Sequence, residues 1–291
     1  MHHTQQLRHL LAGDEVVQAP GVYDGLSALL VEQQEFSAAF LSGACIAFSR
    51  FGRPDMGLIS ASEVSDTVAV IRERTELPLI VDMDTGFGNA LNVQRTVRTF
   101  ERAGASALQM EDQVMPKRCG HMAGKQVISS VEMVGKIKAA VDARANSDTV
   151  IIARTDALGV NGFEDALERA EMYREAGADA LFIEAPSSIE QMQKIGQMFG
   201  QQLPLVHNLV EGGNSPVPSS NELAELHYKI ALYPAALLHA FVPQAQSLLA
   251  HIKQQGQTQS WPKPMVDLSY INDLVGAPEL LAQGKQYQHD S

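Results

Sequence analysis

Short runs of β-branched or apolar residues alternate along this chain with longer segments whose apolar positions recur every three or four residues. The short runs, at 16–20, 38–42, 78–84, 107–112, 149–154, 180–185, 203–208 and 229–234, read as strands. The segments between them, most clearly 62–75, 131–144 and 163–177, read as helices. Right-handed crossovers in such a pattern give a parallel sheet, and eight β/α units close it into a barrel. The expected fold is therefore α/β, a (β/α)8 TIM barrel; a doubly wound open sheet is the alternative, normally built with fewer strands. Segments 101–112 (ERAGASALQMED) and 174–185 (REAGADALFIEA) share one helix–AGA–strand–acid grammar, as stacked β/α units should. No low-complexity linker divides the chain, so residues 1–291 read as one domain. From about 236 to 291 a helical extension with Trp261 and several leucines follows the barrel. Such a tail needs a surface to pack on, and another subunit would supply one.

Composition narrows the function classes. Apolar residues make up 45% and charged residues 19%, enough to bury a core and too little charge for disorder. No apolar run approaches the ~18 residues that span a bilayer, so no membrane partner is expected. The N-terminus lacks the apolar region and cleavage site of a secretory signal. Two cysteines, Cys45 and Cys119, are too few for a disulfide framework and suit a reducing cytoplasm, the expected location. A net charge of −12 argues against nucleic acid as a partner; only 116–118 (PKR) groups cations tightly. An anionic small-molecule substrate would have to be held by local cations, a metal or backbone N–H groups.

In a barrel of this kind, chemistry collects at the C-terminal ends of the strands. Polar residues fall there repeatedly: Ser42, with Gly43 and Ala44 next to it, after the second run, Asp82 and Asp84 at the third, Glu111 and Asp112 at the fourth. Arg154, Thr155 and Asp156 end the fifth, Glu184 the sixth, and His207 and Asn208 the seventh. Asp82 and Asp84 alternate on one strand and should share a face, with Glu111 on the neighbouring strand. Three carboxylates at one spot repel unless a cation or proton intervenes. Hard oxygen ligands without histidine or thiolate favour Mg2+, with Mn2+ as the substitute; otherwise these acids cap helices or pair with arginines. Cys119 lies in the loop 116–121 (PKRCGH) between the cations Lys117 and Arg118 and His121. That setting stabilises a thiolate, and the cysteine could act as nucleophile or as proton donor to a carbanion; the alternative is a buried structural cysteine. Cys45, in the apolar context ACIAF, reads as structural. Arg154 suits a substrate carboxylate or an internal salt bridge to one of the acids. Glu184 reads as a supporting or surface acid, His207 as a core histidine, and His2, His3 and His9 as solvated.

These residues resemble a known family. SGA at 42–44, DMDTGFG at 82–88, EDQ at 111–113, KRCGH at 117–121, ARTDA at 153–157 and EA at 184–185 are similar to the isocitrate lyase / phosphoenolpyruvate mutase superfamily. The resemblance spans nearly the whole chain, and the cysteine of KRCGH marks its carbon–carbon lyase branch. It implies Mg2+ on Asp84, with Asp82 and Glu111 reaching it mainly through water and Asp55 nearby. It implies Ser42, Gly43 and Ala44 as donors to the 2-oxo-acid end of the substrate, with Arg154 on a carboxylate. Glu184, Asn208 and Glu211 would complete the substrate site, and Cys119 would be the general acid on a mobile 115–125 loop. A homotetramer exchanging C-terminal helices is implied as well.

The segment 208–213 (NLVEGG) narrows the substrate. Val210 and Gly212 stand where methylisocitrate lyases carry threonine and a bulkier residue, so the pattern resembles the dimethylmalate lyase branch. Alanines at 235 and 236 count against an oxaloacetate hydrolase. The expected activity is cleavage of an alkylmalate-type 2-hydroxy acid to pyruvate or a related 2-oxo acid. Methylisocitrate lyase follows closely; oxaloacetate hydrolase or decarboxylase, a phosphonate enzyme and a non-catalytic binding barrel are the remaining alternatives.

Overall fold

The computed structural model describes residues 1–120 and 124–287. Eight strands form one parallel sheet: β1 Val17–Val22, β2 Ala39–Leu41, β3 Leu79–Asp82, β4 Ala107–Glu111, β5 Val150–Thr155, β6 Ala180–Ile183, β7 Val206–Asn208 and β8 Ile230–Tyr233. Neighbours pair in sequence order, β1 pairs with β8, and a single bridge between Leu181 and Leu205 joins β6 to β7. The result is a nearly closed (β/α)8 barrel, with every expected strand present.

The expected helices are found at Ala61–Arg72, Ser130–Ala143 and Phe163–Glu175. Ser60 starts the first with a capping box to Glu63, satisfying backbone N–H groups that have no partner inside the helix. The repeated AGA grammar has a physical cause. Gly104 and Gly177 lie at helix ends with φ of +109° and +99°, left-handed conformations that let the chain turn into β4 and β6.

Strand alternation sorts the side chains into two cores. One face of each strand packs against the surrounding helices; the other fills the barrel with Val17, Phe40, Ile80, Ile152, Phe182 and Leu232, among others. The N-terminal helix, His3–Ala12, sends Leu7 into this inner cluster. That placement buries His3, whose Nδ1 lies 2.8 Å from Ser106 Oγ, so this histidine is not solvated as its terminal position suggests. Following the inner face towards the C-terminal ends, Ile80 leads to Asp82, Gln109 to Glu111, Ile152 to Arg154, Phe182 to Glu184 and Val206 to Asn208. The period of two that fills the barrel also delivers its polar residues to one rim.

By compactness the chain falls into two units, residues 1–238 and 239–291. The second comprises most of the helix Ala236–Gln255 and two short helices, Leu268–Leu274 and Ala277–Lys285, and it exposes Phe241, Leu249, Leu280 and Leu281. Among the described residues no helix is long and apolar enough to cross a membrane.

Candidate active site

The acid cluster is assembled by a turn rather than by strand alternation alone. β3 ends at Asp82; Asp84 follows with φ +48°, and its N–H donates to Asp82 Oδ1 at 3.0 Å. A left-handed aspartate is uncommon and costs free energy that surrounding contacts must hold. Here the Asp84 carbonyl accepts from the Glu111 N–H at 2.8 Å, which fixes the turn to β4. Ser42 caps the helix Gly43–Phe51, its hydroxyl accepting from the Cys45 N–H at 3.3 Å. The first N–H groups of that helix, those of Gly43 and Ala44, are the kind left without intrahelical partners. The backbone at Gly43 passes close to the acids: a methyl there would stand a tight 3.2 Å from Asp82 Oδ2 and 3.5 Å from Asp84 Oδ1.

Lys117 enters this cluster from the loop after β4. Its buried ammonium lies 2.6 Å from Asp55 Oδ1 and 2.9 Å from Asp84 Oδ1. Asp55 also accepts the Cys119 N–H on its carbonyl at 3.2 Å, so one residue grips the loop at two points. Gln113 adds a third hold: its side chain accepts the Arg118 N–H at 3.0 Å and donates to the Arg118 carbonyl at 2.9 Å. The Arg118 side chain is exposed, Cys119 is half-buried, and His121 lies outside the described residues.

Two carboxylates, Asp55 and Asp84, thus share one ammonium, with Asp82 beside them. Burial pushes Asp84 up to about 7; Lys117 opposes that shift and the charges on Asp82 and Asp55 add to it. Burial also raises Glu111 well above the usual carboxylate range, although Arg154 opposes it. Glu111 Oε1 is buried without a hydrogen-bond donor among the described residues, while Asp84 Oδ1 faces the Lys117 ammonium at 2.9 Å. Gln109 Oε1 and Asn208 Oδ1, on the same inner face, lack donors too. Buried acceptors of this kind call for a cation or bound water, and an all-oxygen set suits a hydrated Mg2+ that keeps several of its waters. Among the described residues, no three His, Cys, Asp or Glu side chains form a ready-made metal cage, so the fit is to a partly water-ligated ion.

Arg154 realises the salt-bridge alternative. Its Nε and Nη2 donate to Asp156 at 2.9 and 3.1 Å, Nε lies 3.2 Å from Glu111 Oε2, and Nη2 lies 3.9 Å from Glu184 Oε1. The guanidinium also stacks 5.0 Å over the Phe182 ring. Burial works against the charge on Asp156, yet Arg154 and Lys125 hold its carboxyl down to about 2. Glu184 accepts from Asn208 Nδ2 at 3.3 Å and is followed by Ala185 at φ +58°, a second left-handed residue on this rim.

A cavity of about 190 Å3 opens between Gly120, Glu184, Ser187, Asn208, Asn214 and Ser215, with His207 also on its wall. Val210 and Gly212 do not line it; Gly212 and Glu211 are exposed, and the loop after β7 contributes Asn214 and Ser215 instead. His207 holds that loop. The Ser215 hydroxyl donates to the Val217 carbonyl at 2.7 Å, so its oxygen accepts from His207 Nε2–H at 2.8 Å. Cys45 is structural as expected: it is fully buried, its thiol donates to the Pro234 carbonyl at 3.0 Å, and burial pushes it up to about 11.

Sequence position puts Asp112 and Asp156 at strand ends without giving them a role, and it does not single out Lys125. Asp112 stands as hub of a buried network, accepting from Thr155 and Tyr173 hydroxyls at 2.7 Å each and from the Asp156 N–H at 2.9 Å. Lys125 and Asp156 pair at 2.9 Å. Asp156 carried a signal as one of the acids at a strand end; Lys125, a single lysine in a loop, carried none.

Comparison with known proteins agrees with this geometry. The chain is 42% identical over 281 residues to 2,3-dimethylmalate lyase of Eubacterium barkeri, covering 96% of both chains. It is 44% identical over 270 residues to 2-methylisocitrate lyase of Aeropyrum pernix, covering 93% of this chain and 86% of the relative. A solved phosphonopyruvate hydrolase, in complex with oxalate and Mg2+, superposes with a TM-score of 0.89 at 31% identity over 99% of both chains. The family model described as phosphoenolpyruvate phosphomutase matches residues 7–253, so a barrel with this rim of acids, arginine and cysteine belongs to the phosphoenolpyruvate phosphomutase family.

Proposed function

We propose that this chain is a Mg2+-dependent carbon–carbon lyase that cleaves an alkylmalate-type 2-hydroxy acid to pyruvate or a related 2-oxo acid and a carboxylic acid, with Cys119 as general acid. One observation carries most of the reading. Gly120 is packed against Arg154 and Glu184 while Lys117 reaches Asp55 and Asp84, so the backbone at Cys119 runs between Arg154 and the acid cluster, which supports a role for its thiol there. A general base at the rim accepts the 2-hydroxyl proton, and scission of the C2–C3 bond leaves a carbonyl on one fragment and an electron pair on C3 of the other. The Cys119 thiol delivers its proton to that carbon, and the thiolate is stabilised by the neighbouring cations. Asp84, with Asp82 and Glu111 through water, would hold Mg2+ or Mn2+, whose charge stabilises the oxygen anion of the 2-oxo-acid fragment. The N–H groups of Gly43 and Ala44 and the Ser42 hydroxyl lie beside those acids to orient the same fragment, and Arg154 neutralises a carboxylate.

A second reading, methylisocitrate cleavage, is favoured by the polar wall of the cavity. Asn208, Asn214 and Ser215 would serve a third carboxylate, whereas the apolar side chains among the described lining residues are Ala185 and Pro186. A panel of 2-alkylmalates, methylisocitrate, isocitrate and oxaloacetate, assayed with Mg2+ for pyruvate and glyoxylate, tests both. The alkylmalate reading requires kcat/KM to be highest for a 2-alkylmalate; a higher value for methylisocitrate would move the chain to the second reading. Release of no 2-oxo acid from any member would defeat the lyase proposal. A homotetramer with exchanged C-terminal helices is part of the same proposal, supported by the exposed Phe241, Leu249, Leu280 and Leu281. Light scattering should give the mass of four chains; a monomer would exclude it.

A further inference from the structure

Lys125 joins the general-acid loop to the carboxylate-binding arginine. Its nearly buried ammonium donates to the Gly120 carbonyl at 2.6 Å and to Asp156 Oδ1 at 2.9 Å. Asp156 is wholly buried and binds the Arg154 guanidinium through both of its carboxylate oxygens, at 2.9 and 3.1 Å. The Asp156 backbone is itself fixed, its N–H donating to Asp112 Oδ1 at 2.9 Å. Gly120 closes the circuit from the other side. A methyl on its Cα would stand 2.5 Å from Arg154 Nη2 and 2.5 Å from Glu184 Oε1, so the loop backbone rests directly on the carboxylate site.

We infer that Lys125 is a positioning residue for the lyase reaction: by bridging the Gly120 carbonyl and the Asp156 carboxylate it sets Cys119 and Arg154 in register. Asp156 orients Arg154 and the Asp55 carbonyl holds the Cys119 N–H; Lys125 ties the two groups to each other. A charged donor between a carbonyl and a carboxylate makes two charge-assisted hydrogen bonds, which are shorter and stronger than neutral ones. Removing the ammonium frees the Gly120 carbonyl to rotate, and Cys119, the adjacent residue, moves with it. Asp156 keeps its two bonds to Arg154, so substrate binding is affected less than proton delivery.

This inference rests on the lyase reading, and the test separates the two. Full-length wild type is compared with Lys125→Met, Lys125→Gln and Lys125→Arg in steady-state kinetics and in alkylation of Cys119 by iodoacetamide, followed by mass spectrometry. Both neutral variants should lose about tenfold or more in kcat with KM changed by less than about threefold, because the interaction lost is one that orients the reacting group. Lys125→Arg, which keeps the charge and can still span two acceptors, should recover most of that loss. Cys119 alkylation in the neutral variants should depart from the wild-type rate by about threefold or more, since access and orientation both govern thiol reactivity. Alkylation needs no substrate. A wild type without lyase turnover would therefore defeat the functional reading, while an altered Cys119 rate in the variants would still support the placement of Lys125. Wild-type kcat together with wild-type alkylation in either folded neutral variant would overturn it.

Discussion

Replacing Gly120 with alanine tests the seating of Cys119 by geometry alone. The added methyl would lie 2.5 Å from both Arg154 Nη2 and Glu184 Oε1, whereas ordinary contact begins at 3.4 Å. Either the two side chains give way or the loop backbone withdraws by about 1 Å, because repulsion at that overlap rises steeply. Arg154 does not yield cheaply: it is buried and held by Asp156 at 2.9 and 3.1 Å. Breaking such a pair costs about 3–5 kcal/mol. The loop around Cys119 is half-exposed and moves at lower cost. A misplacement of about 1 Å in a reacting group lowers the rate about a hundredfold, or about 2.7 kcal/mol in the barrier. Steady-state kinetics on the best substrate should therefore show kcat reduced about a hundredfold, with thermal unfolding within a few degrees of wild type because the core is untouched. Variant kcat within about threefold of wild type would refute the proposed seating.

Other outcomes follow from the site. Exhaustive chelation should abolish turnover while circular dichroism stays unchanged, and Mg2+ or Mn2+ should restore activity; full activity without metal would remove the acid cluster from the chemistry. Asn214→Leu should lower the kcat/KM for a tricarboxylate relative to a 2-alkylmalate by about tenfold or more, since an unpaired buried carboxylate costs about 1–3 kcal/mol; no change in the ratio would dissociate the cavity from specificity. Burial lowers His207 from 6.5 to about 4, so the folded protein disfavours protonation there while the unfolded chain accepts it. Its contribution is fully present above about pH 6.5 and is lost as pH falls towards 4, by about 3 kcal/mol. Urea unfolding should show a shallower pH slope over that window in His207→Gln than in wild type; equal slopes would contradict this assignment.

Which residues gather at the rim was legible because strand periodicity and barrel topology are both written in local sequence. Asp82, Glu111, Arg154, Glu184 and Asn208 lie two residues beyond inner-core positions, so the pattern that identifies a strand also predicts its active end. What holds them was less legible. Asp84 joins Asp82 through a left-handed turn, and strand alternation predicts the neighbourhood for a different reason. Arg154 could be read as a substrate clamp or as a salt bridge; its pairing depends on Asp156 and Lys125, and a side-chain rotamer has no sequence signature. The loop after β7 shows the limit most clearly. Val210 and Gly212 drew attention by their identity, yet backbone direction turns Asn214 and Ser215 to the cavity, with His207 holding Ser215 in place. His3 departs from its expected solvation for a related reason: terminal position suggests solvent, but Leu7 draws its helix into the inner core and the histidine goes with it.

The role of Cys119 is tested most directly by the turnover of Cys119→Ser on the best substrate, with Mg2+ saturating and binding of the 2-oxo-acid product measured in parallel. Serine preserves size and hydrogen bonding, but its hydroxyl is far too weak an acid to serve as proton donor at neutral pH. General acid catalysis contributes about 10²–10⁴-fold, so kcat should fall by that factor while product affinity stays near the wild-type value. A serine variant that turns over at the wild-type rate would show that the proton comes from elsewhere.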